Sequence, residues 1–136
     1  MLGLSNEDAK ILRNAGARVA DDALRTLVMA THLLGVNRVM VVAHIDCRMT
    51  KVTDDQVHAT ILEQSGVDPR SLEFRTVSDQ QAVLEADAQR IRSSPYMPPG
   101  VAVCRARYDI TSGRVEALVP HDNEPGTGIA VSAGGA

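Results

Sequence analysis

The stretch Arg38-Val-Met-Val-Val-Ala-His-Ile-Asp-Cys47 is the part of the sequence from which the fold is predicted. Five of its first six residues are apolar, and it ends in a His-x-x-Cys pair, His44 and Cys47. A short apolar run bounded by Gly35 and a polar turn predicts a strand buried on both faces. Ligands of open α/β sheets bind beyond the carboxyl ends of the strands, so this imidazole and thiol are candidate metal ligands.

The composition fits one domain with an aliphatic core. The chain has 136 residues, of which 44% are hydrophobic and only 2% aromatic. A chain of this size buries roughly two-thirds of the surface that its unfolded form exposes. We expect one domain over residues 1–120 and, because periodicity is lost from His121 onward, a disordered tail over residues 121–136.

Charge, hydropathy and cysteine content argue against several classes of protein. The formal net charge is −3, and no basic patch accompanies an aromatic series, so no nucleic-acid partner is expected. No apolar run approaches the ~20 residues of a membrane span, and the N-terminus lacks the basic and apolar regions of a secretory signal. Two cysteines without export signals indicate reduced thiols. We therefore expect a cytoplasmic protein without a membrane partner.

Hydrophobic periodicity and capping signals predict alternating strands and helices. Asp21 or Asp22 is expected to cap the first helix, and two capping boxes, Thr53 to Gln56 and Ser78 to Gln81, are expected to begin the next two. Gly35 and Gly66 are the expected helix ends. This pattern predicts an α/β fold with a mostly parallel sheet, flanking helices and a C-terminal β-hairpin. The strands are expected at 9–12, 38–43, 72–77 (the weakest), 101–108 and 115–119.

The helices are expected to bury apolar stripes. In the first helix the stripe consists of Leu24, Leu27, Val28, Thr31 and Leu34, and in the second it consists of Val57, Ile61 and Leu62. His32 and His58 are expected to be exposed positions on these helices. Cys104 lies inside a predicted strand, where packing is the default role of a free cysteine.

Several residues are expected to shape the site around His44 and Cys47. Arg13-Asn-Ala-Gly16 follows the first strand, and Asn14 and Gly16 suit a tight turn with positive φ or close backbone approach. Asp46 could reach toward a metal, but its expected role is to cap the turn after the strand at 38–43. Arg48 places a guanidinium beside the thiol, which favours the thiolate.

Taken together, these elements resemble the β-class carbonic anhydrases, in particular the small bacterial members. The resemblance covers roughly residues 3–120. It is carried by Asp8-Ala-Lys-Ile-Leu-Arg-Asn-Ala-Gly16, by Asp21-Asp-Ala-Leu-Arg with Leu-Leu-Gly35, by Val39-Met-Val-Val-Ala-His-Ile-Asp-Cys47, by Thr53-Asp-Asp-Gln56 and by the hairpin. The Arg-Asn-Ala-Gly element followed about thirty residues later by His-x-x-Cys is more specific than either motif alone.

The resemblance implies a zinc cofactor held by two cysteines and one histidine, with His44 and Cys47 as two of the three ligands. It implies reversible hydration of carbon dioxide to bicarbonate by zinc-activated water. It also implies a homodimer or higher homo-oligomer in which the partner subunit lines part of the substrate pocket.

The family's first zinc ligand lies in a Cys-x-Asp-x-Arg motif on a central strand, and this motif is absent from the 136 residues. No catalytic residue is therefore assigned to this chain, since the family's Asp and Arg pair belongs to that motif. One hypothesis is that the motif lies in frame upstream of Met1. A second is a non-catalytic binding or oligomerisation module, and a third is a relative that hydrolyses another small linear substrate, such as carbon disulfide.

Overall fold

The computed structural model of the chain describes residues 3–5, 7–118 and 129–133. Within these residues, one five-stranded sheet has the order β1-β5-β2-β3-β4. The strands are β1 (Ala9–Leu12), β2 (Arg38–His44), β3 (Ala102–Tyr108), β4 (Val115–Leu118) and β5 (Ile129–Ala133). The helices are α1 (Asp21–Leu33), α2 (Asp54–Ser65) and α3 (Gln80–Arg92), and a short 3₁₀ turn spans Arg48–Thr50.

The central strand β2 is paired along both of its edges. On one edge it runs parallel to β3 over its whole length, from Arg38 opposite Ala102 to His44 opposite Tyr108. On the other edge, residues 39–42 run parallel to β5, which in turn runs parallel to β1. β4 is antiparallel to β3. The sheet is therefore mixed but mostly parallel, which confirms the predicted α/β class and the hairpin of β3 and β4.

Both faces of β2 are buried, as its apolar run predicts. Successive side chains of a strand point to opposite faces. Val39, Val41 and Ala43 join the main core with residues of α1 and α3, whereas Val42 joins a smaller cluster with Ala106 on the other face. The helix residues of the main core are Leu27, Ala30, Leu84 and Ile91.

Helix α1 begins and ends near the predicted residues, but its cap and part of its stripe were predicted wrongly. Ala20 is the N-cap and provides no side-chain bond, while Asp21 and Asp22 lie in the first turn, where negative charge complements the helix dipole. Leu34 is 58% exposed because the helix has already ended at Leu33 and Gly35, with a φ of 69°, turns the chain away.

Helix α2 has the predicted capping box, in which Thr53 and Gln56 exchange side-chain-to-backbone bonds of 2.9 and 3.2 Å. It ends at Gly66 in the left-handed conformation, also as predicted. The expectation that Leu62 points inward was wrong, because this residue is 49% exposed and α2 buries no residue completely.

The segment 72–77 was predicted as a weak strand and is irregular instead. The carboxylate of Asp54 accepts the backbone N–H groups of Phe74, Arg75 and Thr76 at 2.9, 3.3 and 2.9 Å, and the hydroxyl of Thr76 at 2.7 Å. These donors are therefore not available to a sheet. Arg75 also has a φ of 56°, which no strand residue adopts.

Contacts of the two helical histidines differ. His32 is exposed as predicted, and its Nε2 lies 2.7 Å from the carbonyl oxygen of Tyr96. The prediction for His58 was wrong, since it is half-buried, with its ring centroid 5.4 Å from that of Phe74. The ring of His58 therefore helps to hold the irregular segment against α2.

Helix α3 is capped by Asp79, whose side chain accepts the N–H of Ala82 at 3.1 Å. The predicted cap, Ser78, lies one residue earlier. The shift makes Gln80 the first residue of the helix.

The C-terminal prediction needs the largest correction. Residues 129–133, expected within a disordered tail, form β5 in the interior of the sheet. The remaining tail residues, 121–128 and 134–136, lie outside the described residues, as does Val119 at the predicted end of β4. In the described part of the chain, no helix is both long and apolar enough to cross a bilayer.

Protonation of the Asp54 carboxylate is expected to lower the stability of the fold at acid pH. Its bonds from the Thr76 hydroxyl and from the backbone of residues 74–76 lower the pKa of Asp54 from 3.8 to about 2. A lowered folded-state pKa contributes stability that is present above the unfolded value and is lost as pH falls through the folded value. We predict that Asp54→Asn lowers the free energy of unfolding at pH 7 by about 1–3 kcal/mol and flattens its decline between pH 3.8 and about 2.

Chemical denaturation across that pH range measures the effect. Asp55→Asn is the matched control, since Asp55 is the neighbouring acid in the same first turn and is exposed. Equal pH profiles for the two variants would contradict the assignment.

Candidate metal centre

His44 presents one free ring nitrogen at the carboxyl end of β2. The residue is 7% exposed, and its Nδ1 lies 2.8 Å from the carbonyl oxygen of Ile45. A carbonyl oxygen can only accept, so Nδ1 carries the hydrogen, and in the neutral ring Nε2 holds a lone pair. Nε2 is buried and has no hydrogen-bond partner among the described residues. A buried imidazole nitrogen left in this state is the donor that a metal ion needs.

Cys47 is held three residues beyond His44 by a fixed turn. The residue is 3% exposed and precedes the 3₁₀ turn Arg48–Thr50. Its carbonyl oxygen accepts both the N–H and the hydroxyl of Thr50, at 3.0 and 2.6 Å. These two bonds fix the backbone around Cys47. The thiolate of a cysteine is a soft ligand of the kind that zinc binds.

Asp46 and Arg48 lie in the same turn and are both exposed. Asp46 adopts a left-handed φ of 59°, a conformation that aspartate tolerates better than most residues. The hydrogen bond and charge of Lys51, whose Nζ lies 2.5 Å from the Asp46 carboxylate, hold the pKa of Asp46 below its usual range. Asp46 therefore shapes the turn while its carboxylate binds Lys51. The effect of Arg48 on the thiol stays a prediction.

The predicted Asn14–Gly16 turn packs against the turn that carries Cys47. Asn14 closes its own turn by accepting the N–H of Arg18 at 2.8 Å and donating to the carbonyl of Arg18 at 2.6 Å. Gly16 has a φ of 75°, and a Cβ added there would lie 3.4 Å from side-chain atoms of both Met49 and Val77. The glycine thus allows close approach to Met49. Arg13, at the start of the motif, is exposed.

A buried ion pair joins this turn to α3. Arg18 donates Nε and Nη2 to the two carboxylate oxygens of Asp87, at 2.8 and 3.2 Å, and the N–H of Val19 donates to Asp87 at 3.0 Å. Asp87 is 4% exposed. No sequence signal identifies this pair, because its members lie 69 positions apart.

Gln80 supports His44 directly and was not predicted as a site residue. Its side-chain N–H donates to the backbone carbonyl of His44 at 2.9 Å. As the first residue of α3, Gln80 is positioned by the cap at Asp79. Helix α3 therefore contacts the end of β2 and also Arg18 and Val19, which follow the Asn14–Gly16 turn.

His44 and Cys47 are two donors of an incomplete ligand set. Zinc binds three or four protein ligands. Among the described residues, no group of three His, Cys, Asp or Glu side chains is close enough to hold a metal ion. Cys104 pairs with Met40, which lies four residues before His44, or ~13 Å along the strand, and is too distant to join them. The expectation that Cys104 packs in the core is wrong, because the residue is exposed, although partial desolvation of its sulfur raises the pKa of the thiol.

Comparison with curated proteins finds relatives over most of the chain. Beta-carbonic anhydrase 1 of Mycobacterium tuberculosis is 28% identical over 120 residues, which cover 88% of this chain and 73% of the relative. Carbon disulfide hydrolase of Saccharolobus solfataricus is 27% identical over 143 residues, covering 88% and 69%. No family model matches the chain.

Two solved structures match the chain with somewhat higher sequence identity than these curated relatives. A carbonic anhydrase from Streptococcus mutans superposes with a TM-score of 0.83 and 33% identity, covering 87% of this chain and 71% of that one. A carbonic anhydrase from Glaciozyma antarctica gives 0.78 and 30%, covering 87% and 72%. The likeness therefore extends over sequence and fold together.

The bond from Gln80 to His44 predicts a positioning role. We expect Gln80→Ala to weaken zinc binding by about tenfold, because groups that orient metal ligands have effects of this size. Titration against a chromophoric zinc chelator measures the affinity, and Gln81→Ala, at the exposed neighbouring position on the same helix, is the control. A loss of affinity that is equal in the two variants would show that α3 acts only through general stability.

Proposed function

Because the chain belongs to the β-class carbonic anhydrase family, we propose that it binds zinc through His44 and Cys47 and catalyses the reversible hydration of carbon dioxide. The observation that supports this proposal best is the buried, unpartnered Nε2 of His44 three residues before a buried cysteine. A histidine that donates Nδ1–H to a backbone carbonyl has the orientation and tautomer common to metal-binding imidazoles.

The chain's own residues would prepare the ligands before the metal arrives. The Ile45 carbonyl keeps the proton on Nδ1 of His44, and Gln80 restrains the backbone carbonyl of the same residue. The turn that Thr50 closes presents the Cys47 thiol. Bound zinc would supply Lewis-acid activation of water near neutral pH.

The proposal has two parts that can be tested separately. The first is zinc binding by His44 and Cys47. The second is catalysis, which needs at least one further donor from outside the described residues, since these provide only two together. In the resembled family that donor is the cysteine of Cys-x-Asp-x-Arg, a sequence that these 136 residues do not contain.

Carbon disulfide is a second candidate substrate. A relative that covers 88% of this chain is named a carbon disulfide hydrolase, and another solved structure of that name has the same fold, with a TM-score of 0.73. Both carbon dioxide and carbon disulfide are small, linear and attacked at carbon. The same protein preparation should therefore be assayed with both.

We also propose that the protein is a homo-oligomer located in the cytoplasm, without nucleic-acid or membrane partners. A second copy is supported by the edge strand β1 and by the exposed apolar side chains of Ile11 on β1, of Met29 and Leu33 on α1, and of Leu34, which follows α1. Met29 and Leu34 line a groove of about 300 Å³ between β1 and α1, together with Leu12, Leu27 and Ala30 among others. A monomeric mass in sedimentation equilibrium would contradict this part.

Zinc content and hydration rate test the main proposal. We predict that the purified chain retains zinc, and that His44→Ala and Cys47→Ser each abolish retention, because one remaining ligand cannot hold the ion. Cys104→Ser is the control and should leave zinc content unchanged. Elemental analysis after dialysis measures the metal, and stopped-flow hydration of carbon dioxide measures activity.

The outcomes separate the two parts. Zinc retained equally by all variants would contradict the ligand assignment. Alternatively, zinc is retained only when His44 and Cys47 are intact, while neither carbon dioxide is hydrated nor carbon disulfide hydrolysed. That result would support the metal site and would contradict catalysis by these 136 residues.

A further inference from the structure

Four successive backbone N–H groups, those of residues 74–77, donate to residues that follow Cys47 closely in sequence. The first three donate to the carboxylate of Asp54, at 2.9, 3.3 and 2.9 Å, and the N–H of Val77 donates to the carbonyl oxygen of Met49 at 2.8 Å. We propose that Asp54 is a positioning residue for Cys47, which acts through segment 74–77 on the turn that carries the thiol.

The segment receives the Asp54 carboxylate in a concave arrangement of backbone groups. Arg75 adopts a φ of 56° and lies between two residues whose N–H groups also donate to Asp54. Successive N–H groups that converge in this way form an anion-binding concavity, called a nest. A non-glycine residue keeps a left-handed φ only where the surrounding structure imposes it. The conformation of the segment therefore depends on a negative charge at Asp54.

Asp54 carries that charge throughout the neutral pH range. The hydroxyl of Thr76 donates to the carboxylate at 2.7 Å. This bond, together with the backbone bonds of residues 74–76, lowers the pKa of Asp54 from 3.8 to about 2. The two oxygens of the ionised carboxylate accept all four hydrogen bonds, whereas an asparagine side chain has one acceptor oxygen and an NH₂ group that only donates.

The bond from Val77 to Met49 connects the segment to the turn of Cys47. In the described part of the chain, it is the one hydrogen bond that residues 47–51 make with a residue distant in sequence. Val77 is 3% exposed and lies, like Met49, beside Gly16. A shift of the segment would therefore remove the long-range support of the turn.

Arg18 holds the same segment by its carbonyl group. Its Nη1 donates to the carbonyl oxygen of Arg75 at 3.1 Å, while its Nε donates to the buried carboxylate of Asp87 on α3 at 2.8 Å. The same helix binds the backbone carbonyl of His44 through Gln80. Segment 74–77 is therefore attached both to the turn of Cys47 and, through Arg18, to the helix that supports His44.

Alkylation of the metal-free, full-length protein tests the effect on Cys47. A Cys104→Ser background leaves Cys47 as the one thiol of the chain. Because Cys47 is 3% exposed, iodoacetamide reaches it only when its turn opens. We expect Asp54→Asn to raise the alkylation rate about tenfold, the effect of losing a hydrogen bond to a charged group, and Thr76→Val, which removes one of the four donors, to raise it less.

Two control variants separate a local effect from a global one. Asp55→Asn removes a negative charge from the same first turn of α2 and leaves the nest intact. Gly66→Ala strains the left-handed end of the same helix, at a φ of 70°, and so destabilises the fold without altering Asp54. An alkylation rate in Asp54→Asn no higher than that in Gly66→Ala, compared at equal free energy of unfolding, would overturn the proposal.

Amide hydrogen exchange locates the opening. In Asp54→Asn, the amides of residues 74–77 and of Thr50, whose N–H closes the turn of Cys47, should lose more protection than those of β2. A loss of protection that is uniform over these amides would overturn the proposal, since it would show that Asp54 acts through global stability alone.

The consequence for metal binding rests on the proposed function, whereas the effect on the turn does not. We expect Asp54→Asn to weaken zinc binding about tenfold, as for other groups that orient metal ligands, and Gly66→Ala to leave the affinity unchanged because the protein stays folded. Equal zinc affinities in the two variants would overturn the positioning role. Because alkylation and exchange involve no metal, failure of this proposal is distinct from failure of the proposed function.

Discussion

Parallel hydrogen bonding along both edges of β2 fixes the place of His44, and the rest of the site is arranged around that residue. β3 pairs with β2 as far as His44 itself, and β5 pairs with it as far as Val42. Alternation along the strand then sends Val39, Val41 and Ala43 into the main core, which leaves the even-numbered residues, His44 included, on the opposite face. The position of the imidazole is thus a consequence of strand register and core packing together.

Contacts from distant parts of the chain complete the arrangement. Through Gln80, α3 contacts the end of β2, and through Asp87 it contacts Arg18 and Val19 just after the Asn14–Gly16 turn. One helix therefore restrains two segments that are far apart in sequence. Gly16 and Met49 bring the same turn against the 3₁₀ turn that follows Cys47. The buried pair of Arg18 and Asp87 satisfies both of its charges and an extra backbone N–H, which is the condition under which burial of an ion pair is tolerated.

Features carried by local sequence could be predicted, and features carried by long-range contacts could not. The buried strand at 38–44, the Thr53 capping box and the ends at Gly35 and Gly66 all follow from residues that lie within a few positions of each other. The irregular segment 72–77 depends on Asp54, some twenty residues earlier, and its extended appearance in sequence was misleading. The role of Gln80 was not predicted, because the sequence at the start of a helix does not indicate which distant residue a side chain there will contact.

The C-terminal segment shows a different limit of sequence reasoning. Ile129–Ala133 is a short run of small and β-branched residues followed by two glycines, a composition as compatible with a tail as with a strand. What makes it a strand here is the presence of two strand edges with matching register on either side. The site pair, by contrast, was recognisable because His44 and Cys47 follow an unmistakable buried strand within the same ten residues.

The central claim is that Nε2 of His44 and the thiolate of Cys47 bind one metal ion. X-ray absorption at the zinc edge of the zinc-loaded full-length protein tests it most directly. The account predicts a sulfur scatterer at ~2.3 Å together with imidazole scattering from a nitrogen at ~2.0 Å, with the sulfur contribution lost in Cys47→Ser and the imidazole contribution lost in His44→Ala. A spectrum with only oxygen and nitrogen neighbours, unchanged by both substitutions, would contradict it.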